Sequence, residues 1–386
     1  MAQTVSKRFN GWADAAAPAA ARRESRLRLG VGALIGYGIL QALVGVIWDI
    51  QWHIDVGRDR FLTPPHLMLY TGITLAGLTA LAFGLAETVR YRHGAPGVDE
   101  GSTTPWLRLF HAPLGIIVVG CGALATLAAA PLDNYWHILY GIDVTLWGPF
   151  HVMGLVGGAV ICFGLVYLFA SERNRYARRR EGGRHVFVLF CGSLAVLYAM
   201  LMLIASAPAF EEMWMRLGNW PVWPLLAAFA TSFCLLAGVR FAGLGGAVGA
   251  ALGFTAIRLG AGLFTPWATH YVAQAQGMPF RGGAIEFAVV PASFPKWLIV
   301  WALAVEGLYW LSATGRLKLR VAAPLAGAVA ALLVGAFEHA WNWAYIEAGL
   351  NWQAALLAEL PVVAVIGAAG GALGAGFGFL LKVSDR

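Results

Sequence analysis

Two short stretches of this chain carry residue types that hold metal ions or move protons. Asp49, His53 and His66 are spaced D-x3-H-x12-H, and Asp133, His137 and His151 are spaced D-x3-H-x13-H. An Asp and a His four residues apart project from one face of a helix. Pro64 and Pro65 precede His66, and Pro149 precedes His151; proline suits the first turn of a helix, which places each later His at a helix start. A tight hairpin then returns the third side chain toward the first two. A helix N-terminus disfavours protonated imidazole, so His66 and His151 are expected to offer a nitrogen lone pair. One carboxylate and two imidazoles suit Cu(II), Fe(II) or Zn(II). The competing reading is that Asp and His merely cap helix ends and satisfy each other.

The two stretches are copies. Residues 49–66 read DIQWHIDVGRDRFLTPPH and residues 133–151 read DNYWHILYGIDVTLWGPFH. Asp49/Asp133, Trp52/Trp136, His53/His137, Ile54/Ile138, Gly57/Gly141, Asp59/Asp143 and His66/His151 agree. With 20 acids and 9 His in 386 residues, such agreement points to a repeated functional unit rather than coincidence. Trp52, Trp136, Asp55, Asp59 and Asp143 are candidates to support the ligating imidazoles from behind; the acids alternatively face outer water. Fainter echoes of acid-x-x-Trp occur at Glu211–Trp214 and Glu338–Trp341, as an ancestral hairpin repeated along the chain would leave.

The first motif, carried by Asp49, Trp52, His53, Arg58, Asp59, Thr63, Pro64 and His66, resembles the metal-binding segment of the C subunit of particulate methane and ammonia monooxygenases. The second resembles that family's other C-subunit metal site: His137 and His151 match its two His, and Asp133 stands where the family usually has Asn. The similarity covers residues 30–170. It implies copper bound in the membrane near its outer face, where a small apolar substrate or ammonia is oxidised by O2. It also implies work beside other membrane subunits and an electron donor. This chain departs from the family in length, with some 200 further residues and six more expected spans.

The elements that must position these residues are membrane helices. The chain is 59% hydrophobic and only 12% charged, with 48 Gly and 16 Trp, and its mean hydropathy is +0.68. A soluble surface needs roughly 25% charged residues, so an all-α polytopic bundle in a lipid bilayer is expected. A span needs about 20 apolar residues. Ten are expected, at about 29–50, 64–89, 107–130, 149–171, 186–206, 221–240, 242–262, 295–314, 321–345 and 353–381. Arg22, Arg23, Arg26 and Arg28 precede the first span, and the Arg173–Arg184 run follows the fourth. Every second connection is basic, which places both termini in the cytoplasm and the Asp-His-His motifs toward the outer side of an inner membrane. The net charge of +7 then needs no nucleic-acid partner.

The expected organisation is a basic tail (1–27), a four-span motif region (28–171), a basic loop (172–185) and a six-span region (186–386). The tail lacks the layout of a removable signal peptide. Gly245, Gly249, Gly253 and Gly370, Gly374, Gly378 provide small-xxx-small faces for bundle packing. Trp48, Trp52, Trp136, Trp147, Trp214, Trp220, Trp267, Trp341 and Trp352 are expected in an interfacial belt. Cys121, Cys162, Cys191 and Cys234 lie in apolar runs and read as packing residues.

A second polar cluster, with Glu211, Glu212, His270, Glu338, His339, Asn342 and Glu347, is expected at the outer side, as a proton path, as support for the ligands or as headgroup-layer residues in contact with water. His93, His111 and His185 border cytoplasmic loops and are expected to be solvated. Other functions stay open at this point: a haem electron carrier, against which the paired Asp counts; a metal or proton transporter; and an assembly subunit.

Overall fold

The computed structural model describes residues 2–57, 61–140, 148–210, 216–217, 220–281, 287–334 and 352–383, with side chains for 19–57, 61–140, 148–206, 223–281, 287–334 and 360–383. The chain is an all-α bundle. Its helices are α1 (Ala2–Asp55), α2 (Pro64–Arg92), α3 (Leu114–Tyr140), α4 (Pro149–Arg178), α5 (Arg184–Phe210), α6 (Val222–Ala242), α7 (Gly246–Ala275), α8 (Val289–Ser293), α9 (Leu298–Ala313), α10 (Leu319–Ala331) and α11 (Trp352–Val383). Among the described residues nine helical segments are long and apolar enough to cross a membrane, and a shorter apolar helix spans Leu319–Val334. The far part of the expected ninth span, beyond residue 334, lies outside the described residues. A multi-pass membrane protein follows from these lengths and compositions.

α1 is the hub. It pairs with α2 as a hairpin and also packs on α4, α7 and α5, while α3 pairs with α4. α6, α9, α10 and α11 form the far side, joined through α5 and α7. Both hairpins cross at glycines. A Cβ on Gly72 would stand 2.5 Å from the Gly38 carbonyl oxygen, and one on Gly122 would stand 2.6 Å from that of Gly157. Backbones can touch there only because no side chain intervenes. Gly370, Gly374 and Gly378 lie against α6 at Phe229, Phe233 and Ala237, and Gly249 and Gly253 lie against Cys191 and Ala195 of α5. Both small-residue faces therefore pack within the bundle. Cys162, Cys191 and Cys234 are buried, while Cys121 is exposed.

Several boundaries differ from expectation. Residues 107–113 are not helical: β1 (Thr104–Trp106) and β2 (Phe110–Ala112) form an antiparallel hairpin, turned by Leu107 and Arg108 at positive φ. Apolar content alone does not separate such a turn from the helix that begins at Leu114. α7 continues to Ala275 with Pro266 inside it, so the loop expected from 263 starts later. The basic tail is helical and continuous with the first span. Arg28 is buried instead of facing cytoplasmic water, and from the basic run Arg173 donates to the Ala242 carbonyl at 3.0 Å. Trp48 and Trp52 are buried within the bundle, whereas Trp267 is exposed. Trp147, Trp214 and Trp341, with the side chains of Trp220 and Trp352, lie outside the described residues. His93 and His185 are exposed as expected. His111 is half-buried and stacks on Tyr91 with ring centroids 3.8 Å apart.

The crossings generate a test. Gly72→Ala and Gly157→Ala are each expected to lower stability in detergent by roughly 1–3 kcal/mol through overpacking. Gly120→Ala, whose added methyl meets nothing within 4 Å, is expected to leave the thermal midpoint unchanged. Thermal unfolding followed by tryptophan fluorescence checks this order.

Candidate metal centres

Each Asp-His-His set is assembled by one helical hairpin. Asp49 and His53 lie one turn apart near the C-terminal end of α1. His66 sits in the first turn of α2, where Thr63 takes the N-cap position and Pro64 opens the helix. The Thr63 hydroxyl accepts from the His66 backbone N–H at 3.4 Å, a long contact that still orients the turn. In the second hairpin Asp133 and His137 close α3, and His151 lies in the first turn of α4 after Gly148 and Pro149. The glycine crossings lie within four turns of these ligands and hold each pair of helices together beneath them.

The geometry is repeated with the sequence. His53 Nε2 is 3.4 Å from Asp49 Oδ2, and His66 Nε2 is 3.3 Å from Asp49 Oδ1. His137 Nε2 and His151 Nε2 lie 3.3 and 3.2 Å from the same oxygen, Asp133 Oδ2. The paired imidazole rings stand 6.3 Å apart in the first set and 5.9 Å in the second. All six residues are half-buried, and in each set the three donor atoms lie within 4.8 Å of one another.

These separations suit a shared cation. With metal–nitrogen and metal–oxygen bonds of about 2.0–2.1 Å, tetrahedral geometry puts neighbouring ligand atoms roughly 3.3 Å apart. Asp49 Oδ1 adds a second indication. It is buried and has no well-formed hydrogen bond among the described residues, although His66 Nε2 stands 3.3 Å away. Carboxylate and imidazoles are placed so that one ion could bridge them. The donor set, one oxygen ligand and two borderline nitrogens, fits copper, iron or zinc and is unsuited to calcium or magnesium.

Aromatic rings flank both sets. Tyr70 stacks on His66 at 5.6 Å and touches Phe61 at 5.2 Å. In the second hairpin Trp136 contacts Tyr140 at 4.4 Å and Phe150 at 5.9 Å. The two sets stand on neighbouring hairpins, since α1 packs against α4.

The residues expected to support the ligands fare differently. Trp52 is buried in a small cluster with Val56 and Ala273, so α7 covers it. Trp136, its counterpart, is half-buried. Asp55 is fully buried, which removes the reading that it faces outer water. Its Oδ2 accepts from Gln51 Nε2 at 2.9 Å, and its carbonyl accepts from the Arg281 N–H at 2.7 Å. Asp59 and Asp143 lie outside the described residues, as do Glu211, Glu212, Glu338, His339, Asn342 and Glu347 of the expected polar cluster. His270 belongs to α7 instead of a loop, with its ring 5.1 Å from that of Phe280 and Nε2 buried.

Sequence reasoning missed a group at the other end of these helices. Glu24, Arg28, Glu87 and Glu172 are all buried. A signal was available: Glu87-x-x-Arg90 and Glu172-x-x-Arg175 continue the same repeat that relates His66 to His151. Gly72 and Gly157 also stand in that register. It also missed Glu306, whose carboxylate accepts from the backbone N–H groups of Gly245, Ala247 and Val248 at 2.8–3.0 Å. That contact caps the start of α7.

If each hairpin holds its own ion, the full chain takes up two equivalents of Cu(II), and His53→Ala or His137→Ala takes up one. Asp49→Asn is expected to weaken one of the two equivalents, leaving the other in place. Elemental analysis and equilibrium dialysis of the detergent-purified protein measure both. Complete loss in either single variant would show that one ion is shared between the hairpins.

No known family, characterised protein or solved structure matches this chain in comparison.

Proposed function

We propose that this chain is an integral membrane metal protein with copper as its resident metal. On this reading it is related to the metal-bearing subunit of an O2-dependent monooxygenase acting on ammonia or a small apolar molecule. The observation that carries the reading is the duplicated Asp-His-His geometry, with donor atoms 3.2–3.4 Å apart at the ends of two neighbouring hairpins. Its sequence counterpart is the resemblance of residues 30–170 to the C subunit of particulate methane and ammonia monooxygenases. A copper ion supplies one-electron chemistry toward O2.

The chain's own residues account for the rest of the site. Asp49 and Asp133 each bring one negative charge against a cation in a poorly solvated position. His53, His66, His137 and His151 present Nε2 toward the carboxylates, leaving Nδ1 for outer partners. Tyr70, stacked on His66 and in contact with Phe61, gives the first set an apolar side that favours an apolar substrate. An approach from the lipid needs no aqueous channel. Electrons come from a separate donor, since the sequence holds no flavin or nicotinamide motif, and partner membrane subunits are part of the reading. The basic connections at alternate helix ends support an orientation with the sets toward the outer face of a cytoplasmic membrane.

The test uses membranes containing the full chain, loaded with copper and supplied with a quinol reductant. O2-dependent hydroxylation of a short alkane, or of ammonia, is expected in the wild type. It is expected to fall to background in His53→Ala or in His137→Ala. A Soret band in the purified protein, or copper uptake below one equivalent after reconstitution, would overturn the copper reading. Copper binding without O2-dependent product, with the partner subunits present, would overturn the oxygenase reading while leaving the metal reading intact.

A further inference from the structure

The helices that carry the Asp-His-His sets meet a second time, at their opposite ends. Twenty-one positions along the chain separate Arg28 from Asp49, His66 from Glu87 and His151 from Glu172. At about 1.5 Å per residue this is roughly 32 Å, close to the roughly 30 Å of a bilayer's hydrocarbon core. The same three helices, α1, α2 and α4, therefore carry a polar layer at each end of one membrane thickness.

The far layer is built around Arg28. Its guanidinium is wholly buried; Nη2 donates to Glu87 Oε2 at 2.8 Å and Nε to Glu24 Oε1 at 2.9 Å. Nη1 donates to the Ser102 carbonyl at 3.2 Å and stands 3.7 Å from Glu172 Oε1. Arg90 closes on Glu24 at 2.7 Å and on Glu87 at 2.6 Å, and Arg175 approaches Glu172 at 3.5 Å. The carboxylates of Glu24, Glu87 and Glu172 balance Arg28, Arg90 and Arg175 in charge. Glu87 and Glu172 are the equivalent residues of the two repeats, so one arginine on α1 sits between matching acids of both hairpins.

Bulk stability is a poor explanation for this cluster. Replacing a buried ion network by apolar side chains is often neutral or stabilising, and ionisable groups inside a membrane are costly and usually functional. What the network has and an apolar contact lacks is direction. Glycine crossings and apolar stripes let helices lie close but resist axial sliding weakly, whereas a guanidinium fork fixes its partners to within fractions of an ångström. The ligand sets need that precision. Their donor atoms stand 3.2–3.4 Å apart, and a slip of α2 or α4 by one residue, about 1.5 Å, would take His66 or His151 out of reach.

We propose that the buried Arg28–Glu24–Glu87–Glu172 network, with Arg90 and Arg175, locks the axial register of α1, α2 and α4 so that both Asp-His-His sets converge. Glu87 fixes α2 and with it His66. Glu172, 3.7 Å from Arg28 Nη1 and not hydrogen-bonded to it, holds α4 by charge and with it His151. Arg28 refers both to Asp49. These are positioning residues, and the proposal rests on the metal reading of the two sets.

The experiment reads each set separately in the full-length protein by Cu(II) electron paramagnetic resonance, using His137→Ala to isolate the first set and His53→Ala to isolate the second. Glu87→Gln is expected to alter the first-set spectrum and weaken its copper binding by roughly ten-fold or more, with less than about two-fold change in the second. Glu172→Gln is expected to do the reverse. Glu181→Gln, which removes a surface pair with Arg22 and Arg179 at the same end, is expected to change neither. Equal weakening of both sets, in proportion to a lowered thermal midpoint, would reduce the network to general stabilisation and overturn the proposal.

A metal-free measurement separates this failure from failure of the metal reading. Spin labels at Leu67→Cys on α2 and Tyr135→Cys on α3, both exposed positions, report the spacing of the ligand-bearing ends in a Cys121→Ser background. Glu87→Gln is expected to shift or broaden that distance. A shift in a chain that binds no copper would sustain the register lock and refute the metal reading. An unchanged distance would overturn the lock.

Discussion

An ionised side chain in a low-dielectric layer must find an opposite charge, and this constraint organises the protein. Between its ends the bundle is apolar and glycine-rich, with backbones in contact at Gly38/Gly72 and Gly122/Gly157. At one end, carboxylates stand among imidazoles; at the other, carboxylates stand among guanidiniums. The chemistry of the two layers differs accordingly. Guanidinium keeps its charge, so the carboxylates of the Arg28 layer face fixed cations. Asp49 and Asp133 each stand against two imidazoles, and each set has the donor atoms to hold a cation.

Much of this was legible in the residues. Hydropathy and the 20-residue requirement located the helices, and the scarcity of Asp and His exposed the duplicated ligand sets. The structure brought Asp49 to His53 and His66, and Asp133 to His137 and His151, because i, i+4 spacing and proline-led helix starts are local geometry. Tertiary facts were harder to read. Nothing in the apolar stretch before Leu114 distinguishes a β-hairpin turned by Leu107 and Arg108 from another turn of helix. The span expected to end at about 262 continues as α7 to Ala275, with Pro266 inside it. Arg28 looked like one cation of a cytoplasmic cluster, since burial depends on Glu87 and Glu172, which lie 59 and 144 positions away.

The repeat itself was longer than its conspicuous part. Asp, Trp and His drew attention because they are rare in such a chain, whereas Gly38/Gly122 and Gly72/Gly157 were hidden among 48 glycines. Their equivalence becomes visible only when the crossings are seen to fall at matching heights in both hairpins. Glu87 and Glu172 were overlooked for a related reason: both face inward toward one arginine that is distant in the sequence.

The two hairpins share a plan but not an environment, and the difference arises from the rest of the bundle. α7 packs on α1 and buries Trp52 against Ala273. Trp48 donates to the Thr269 hydroxyl at 3.1 Å, and Gln51 accepts from the Val289 N–H at 2.9 Å. The helix that supplies Asp49 and His53 is thus fastened by neighbours from the C-terminal part of the chain. α3, which supplies Asp133 and His137, instead exposes Leu132, Tyr135, Ile138 and Leu139 around its ligands. Asp49 engages its imidazoles through both oxygens and Asp133 through one. The first set is therefore held against a protein scaffold, and the second lies at the bundle's margin. The additional helices of the C-terminal region thereby shape the surroundings of the first set.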